Sequence, residues 1–148
     1  MAVKTKPDGY HNVTPYMVVA GADRVIDFLK TVFGGEETER LAGPDGTVGH
    51  AEVRIGDSVV MLADVGPQSS AFPGMLHIYV EDCDATYRKA LAAGGTSLRE
   101  PVNEFYGDRM AGVNDTFGNQ FWIATHVEDV SAEEMARRAQ ELATAAKS

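Results

Sequence analysis

His50 and Glu52 are the residues of this chain best suited to moving protons. They stand two apart, so on an extended strand their side chains leave the same face and can work as an acid/base pair or as two donors to a metal. His77 is the natural third member if the fold brings it near. The plain alternative is a hydrogen-bonded strand face with no chemistry, a common outcome of alternation. Arg109, three residues after Tyr106, could clamp an anionic ligand or instead pair with Asp108 or Glu104. Cys83 precedes a helix start, which can activate a thiol, but Asp82 and Asp84 flank it and oppose the thiolate, so it reads as structural. As the single cysteine it excludes an intramolecular disulfide framework and any CxxC site. His126, near Glu128 and Asp129, reads as serving the end of a strand. Gly43, Gly46 and Gly49 lack the lysine and the helix that a phosphate loop requires.

The elements that must position these residues come in two similar sets. Val19-Ala-Gly-Ala-Asp23, followed by Gly34-Gly35, reappears about 61 residues later as Val80-Glu-Asp-Cys-Asp84, followed by Gly94-Gly95. Internal repetition of this kind points to two copies of one module. Asp23 and Asp84 are the expected helix N-caps, and the glycines the expected stops. Val13–Val19 reads as a strand, and Asp23–Phe33 as a helix with Val25, Ile26, Leu29 and Phe33 on one face. Further strands are expected over Glu36–Ala42, Gly49–Ile55 and Ser58–Ala63, with a hairpin at Gly56-Asp57. The second set repeats the order: strand Met75–Val80, helix Asp84–Ala93, and strands Ser97–Val102, Arg109–Val113 and Asn119–His126. The pattern is βαβββ twice, with module one over 12–65, a linker over 66–74 and module two over 75–127. A final amphipathic helix over 131–147 opens on Ser131 and Glu134, a capping box. Its narrow apolar stripe suits the outside of the domain or a partner chain.

At 148 residues the chain has room for one domain or two half-domains sharing a core. A formal charge of −9 and a sequence pI near 4.8 argue against nucleic acid and anionic membrane as partners. No apolar run approaches the roughly 20 residues of a membrane span. The polar amino end, Met1 to His11, has no signal-peptide core, and the expected location is the cytoplasm.

Paired βαβββ modules carrying Val13-Thr-Pro-Tyr16, Tyr106-Gly-Asp-Arg109 and Asp115-Thr-Phe-Gly118-Asn-Gln-Phe-Trp122 resemble the glyoxalase/bleomycin-resistance/dioxygenase (vicinal oxygen chelate) superfamily, and its PhnB-like branch in particular. That branch usually has Asp-Pro-Phe-Gly where this chain has Asp115-Thr116-Phe117-Gly118. The resemblance implies an α+β fold in which two βαβββ modules form curved mixed sheets around a cavity. It also implies a divalent metal held by His, Glu or Gln from the first and last strands of each module. Those places fall on Tyr16 (or Pro15 or Thr14), Met61, His77 and Trp122, of which His77 alone is a usual ligand. No metal and no other cofactor are therefore expected, since a catalytic site needs about three protein ligands.

Strand parity puts Ala51, Val53, Ile55, Leu76 and Ile78 toward the helices. His50, Glu52, Arg54, His77 and Tyr79 then face the concave side, joined by Tyr16, Met61 and Trp122. That lining, with Tyr106 and Arg109 near the mouth, suits a flat organic ligand held by stacking and a few hydrogen bonds. The leading expectation is a metal-independent small-molecule-binding protein, and the superfamily resemblance suggests a homodimer. The rivals are a metal-dependent lyase, isomerase or dioxygenase of the glyoxalase type, and a structural or regulatory dimer without ligand.

Overall fold

The computed structural model describes residues 2–147, and the repeat in the sequence is a repeat in space. The first module runs β1 (Tyr16–Val19), α1 (Ala22–Phe33), β2 (Glu36–Ala42), β3 (Val48–Ile55) and β4 (Ser58–Asp64). The second runs β5 (Met75–Tyr79), α2 (Cys83–Ala92), β6 (Thr96–Asn103), β7 (Asp108–Asn114) and β8 (Gln120–His126). A last helix, α3 (Ala132–Ala145), follows. Each module forms a four-stranded mixed sheet, in the order β1-β4-β3-β2 and β5-β8-β7-β6. The first strand of each lies parallel to the last, and the other neighbours are antiparallel. The fold is the α+β arrangement the repeat implies.

One face of each sheet is covered by the helices, and α1 packs on α2. Val25, Ile26 and Leu29 of α1 are fully buried against Met17, Val19, Val53 and Leu62. The same core continues into the second module through Ala111, Val113, Phe121 and Ile123. Phe121 lies 5.1 Å from Phe28 and 5.7 Å from Phe33, centroid to centroid, so an aromatic cluster crosses the module boundary. Leu76 and Ile78 pack against this core, as the alternation along β5 requires.

The helix starts differ from the expected caps. Gly21, not Asp23, precedes the first turn of α1, and its N–H and that of Ala22 donate to Asp64 Oδ1 at 2.9 Å each. Gly21 has φ 130°, and a Cβ there would meet the Phe117 ring at 2.5 Å, which excludes a self-capping side chain. In α2 the cap is Asp82, whose carboxylate accepts from Ala85 N–H at 3.0 Å, two residues earlier than expected. β1 is also shorter than expected, because Val13 to Pro15 stay outside the strand.

The Asp115–Gly118 turn locks the linker to the second sheet. Asp115 accepts from the N–H groups of Phe117 and Asn119, and the buried Asn119 accepts from Gly74 N–H at 2.9 Å. Ser131 caps α3 by accepting from Glu134 N–H. No α3 residue is buried, and Arg138 ties the helix to Glu128 and the Phe105 carbonyl. No described helix is long and apolar enough to cross a membrane.

Candidate functional site

The sheet faces turned away from the helices carry the polar and aromatic side chains. On the first sheet, Tyr16 of β1 pairs in register with Met61 of β4, and Met61 with Glu52 of β3. His50 Nε2 lies 2.9 Å from Glu52 Oε2, and His50 Nδ1 lies 3.0 Å from the Tyr16 hydroxyl. Tyr10, from the segment before β1, donates to the other oxygen of Glu52.

Glu52 is only 4% exposed. Burial pushes its carboxyl up, but hydrogen bonds from Tyr10 and His50 outweigh that and leave it below the ordinary range. The same contact pushes the Tyr10 phenol up, since a donor to a carboxylate resists ionising. An ionised Glu52 only accepts, so His50 Nε2–H donates to it, and in that tautomer Nδ1 is the nitrogen left to accept from Tyr16. The result is a chain of four side chains, Tyr10–Glu52–His50–Tyr16, whose outer end is the half-exposed Tyr16.

On the second sheet, His77 of β5 pairs with Trp122 of β8, and Trp122 with Gly112 of β7. The six-membered ring of Trp122 sits over Gly112, where a Cβ would lie 2.6 Å from a ring carbon. The Arg99 guanidinium is 5.9 Å from the Trp122 centroid and pairs with Glu104. His77 and Tyr79 rings are 5.0 Å apart, and Tyr79 donates to the buried Asp108 at 2.8 Å. Asp108 also holds His126 Nδ1 at 2.8 Å. Tyr106 stacks edge-on against Phe105, with its hydroxyl 3.8 Å from Met110 Sδ.

Of the expected residues, the first sheet carries Tyr16, His50, Glu52 and Met61, and the second carries His77, Tyr79 and Trp122, with Tyr106 reaching Met110 from the β6–β7 loop. His77 does not join His50 and Glu52, because β3 and β5 belong to different sheets. Arg109 turns to the helix side with Ala111 and Val113, where α2 begins. It holds both oxygens of Asp84, at 2.6 and 2.9 Å, rather than Asp108 or Glu104. Cys83 is buried with its Sγ on the Ile123 carbonyl, and burial raises its pKa, in keeping with a structural role. Tyr10, Arg99 and Asp108 were not visible as site residues. Tyr10 lies 42 positions from Glu52, and no local spacing signals such a contact.

The sequence pattern of the Glyoxalase/Bleomycin resistance protein/Dioxygenase superfamily matches residues 10–123. The chain belongs to this superfamily. It is 33% identical over 146 residues to the protein Mb0911c of Mycobacterium bovis, covering 91% of this chain and 93% of that one. Among solved structures, TioX from Micromonospora sp. ML1 superposes with a TM-score of 0.66 at 23% identity, over 79% of this chain and 99% of TioX. The PhnB protein from Bacillus cereus gives 0.63 at 19% identity, over 78% and 99%.

The metal places of the glyoxalase superfamily, carried over from the resemblance, are Tyr16, Met61, His77 and Trp122. They fall as two in-register pairs, Tyr16 with Met61 and His77 with Trp122, on two separate sheets. A phenol, a thioether, one imidazole and an indole do not fit a catalytic divalent ion. Glu39, His50 and Glu52 bring three donor atoms within 4.8 Å of one another, but both His50 nitrogens and both Glu52 oxygens are already engaged by neighbours. A cleft of about 1080 Å³ also runs along β5, lined by Phe33 and Val59 of the first module and Leu76, His77 and Tyr79 of the second.

Proposed function

We propose that this glyoxalase-superfamily chain is a metal-independent small-molecule-binding protein. Its second-sheet face takes a flat, largely aromatic or apolar ligand. The observation that carries the reading is the seat of Trp122 over Gly112. With no side chain beneath it, the indole packs on the sheet and stays partly exposed, and this half-covered ring is the stacking surface of the reading. His77 and Tyr79 extend that platform, and Arg99 supplies a charged edge for a polar substituent.

The test is a fluorescence titration with a panel of planar aromatic acids and phenols, read through the single tryptophan. Wild type is expected to shift its emission with at least one of them. Gly112→Ala, which pushes the ring off its seat, is expected to bind that compound about tenfold more weakly, a loss of roughly 1.4 kcal/mol. A panel without any shift, or unchanged affinity in Gly112→Ala, refutes the reading. Metal independence is checked on the same preparation: binding is expected to survive dialysis against a chelator.

The same reading includes a homodimer in the cytoplasm. Met75 and Tyr79 of β5 are 68% and 63% exposed, and Phe72, bridged to Val18 of β1, is 75% exposed, apolar surface suited to cover by a second copy.

A further inference from the structure

We propose that Tyr10, Glu52, His50 and Tyr16 form a proton relay that makes the Tyr16 hydroxyl an acid/base and nucleophilic group toward small electrophilic carbonyl compounds. Each link is a direct contact: Tyr10 on Glu52, Glu52 on His50 Nε2 at 2.9 Å, and His50 Nδ1 on the Tyr16 hydroxyl at 3.0 Å. The order of the parts is that of an activated nucleophile, in which a buried carboxylate orients an imidazole and the imidazole accepts from a hydroxyl. Glu52, inside the chain, is 4% exposed, and Tyr16 is the more open of its two ends at 45%. Tyr16 is therefore the end a ligand reaches most readily.

The pieces come from three places in the chain that no turn or cap requires to meet. His50 and Glu52 share β3, Tyr16 opens β1 two strands away, and Tyr10 precedes the sheet altogether. Glu39 of β2 adds a carboxyl from a third strand to this cluster, with its donor atom within 4.8 Å of those of His50 and Glu52.

The second sheet holds an internal comparison. Tyr79 is more exposed than Tyr16, yet it donates to Asp108 and not to a ring nitrogen. Asp108 is held low by His126 and Tyr79 itself against the upward push of burial, which makes it a poor base, and no imidazole nitrogen contacts the Tyr79 hydroxyl as His50 Nδ1 contacts that of Tyr16. Exposure alone thus favours reaction at Tyr79, and the relay favours Tyr16.

The inference goes beyond the binding reading above and does not depend on it, because its probe needs no ligand pocket. The probe is 4-nitrophenyl acetate. The Tyr16 oxygen bonds to the acetyl carbon, the bond from that carbon to the nitrophenyl oxygen breaks, and 4-nitrophenolate leaves. The phenolic proton passes to His50 Nδ1, balanced by the Glu52 carboxylate, and then to water.

The site of acetylation is read by peptide mass spectrometry over time in wild type, Tyr16→Phe, His50→Gln and Glu52→Gln, with circular dichroism confirming each fold. Tyr16 is expected to acquire acetyl faster than Tyr79, and to slow about a hundredfold in His50→Gln. Its reaction should also slow in heavy water in wild type but not in His50→Gln, a response that a purely structural histidine would not give. Glu52→Gln is expected to fall between. Equal labelling of Tyr16 and Tyr79, an unchanged rate in a folded His50→Gln, or no response to heavy water overturns the relay. If His50→Gln does not fold, the Tyr16-to-Tyr79 ratio and the heavy-water response of wild type decide by themselves.

Discussion

Asp108 is a nearly fully buried carboxylate whose two oxygens are taken by Tyr79 and His126. Burial pushes its carboxyl up, but those contacts and the nearby charge of His77 leave it below its usual value of 3.8. Asp108 and Asp129 in turn lift His126 above 6.5. The stabilisation from the lowered Asp108 is present above about pH 3.8 and is lost as pH falls through its folded value. That from the raised His126 is present below about pH 6.5 and is lost as pH rises through its folded value. Both therefore operate between those limits. The difference in thermal midpoint between wild type and His126→Gln is expected to be largest near pH 5 to 6 and to shrink steadily above neutrality; a difference flat with pH refutes the linkage. His126 and Asp129 were legible together because they are three apart. Asp108 was not, because His126 reaches it across the β7–β8 pairing and Tyr79 from β5, one strand further.

The two helix starts separate what local spacing can and cannot reveal. Periodicity placed Val25, Ile26 and Leu29 on the buried face of α1, and alternation placed Ala51 and Val53 inward from β3, because both depend only on near neighbours. The caps depend on where distant chain returns. Asp64, at the end of β4, accepts from Gly21 and Ala22 at the start of α1 and, through Oδ2, from Val48 N–H at 2.7 Å. One carboxylate thus joins α1, β3 and β4. Asp64→Ala leaves three backbone donors without that acceptor, and a single unsatisfied buried donor costs on the order of 1–3 kcal/mol. Because water reaches this half-buried site, the expected loss is about 3 kcal/mol in urea unfolding; a loss under about 1 kcal/mol shows that the shared acceptor is dispensable.

The two modules share one interior. Phe28 and Phe33 of the first stack around Phe121 of the second, and Phe117 of the second closes on Gly21 of the first. Neither half keeps its apolar surface dry alone, so thermal unfolding should follow a single cooperative transition by both tryptophan emission and far-ultraviolet ellipticity. Phe121→Ala should lower stability by about 3–5 kcal/mol without splitting that transition; two resolved transitions would mean separately folding modules. The repeat made the two halves legible, but their mode of union was not, since it rests on ring contacts between residues about 90 positions apart. Cys83 gives this union a consequence in time. Its thiol lies where α2 meets β8, sealed from solvent and held on the Ile123 carbonyl. An alkylating reagent can reach it only in the instants when that seam parts, so the speed of modification clocks the breathing of the native protein.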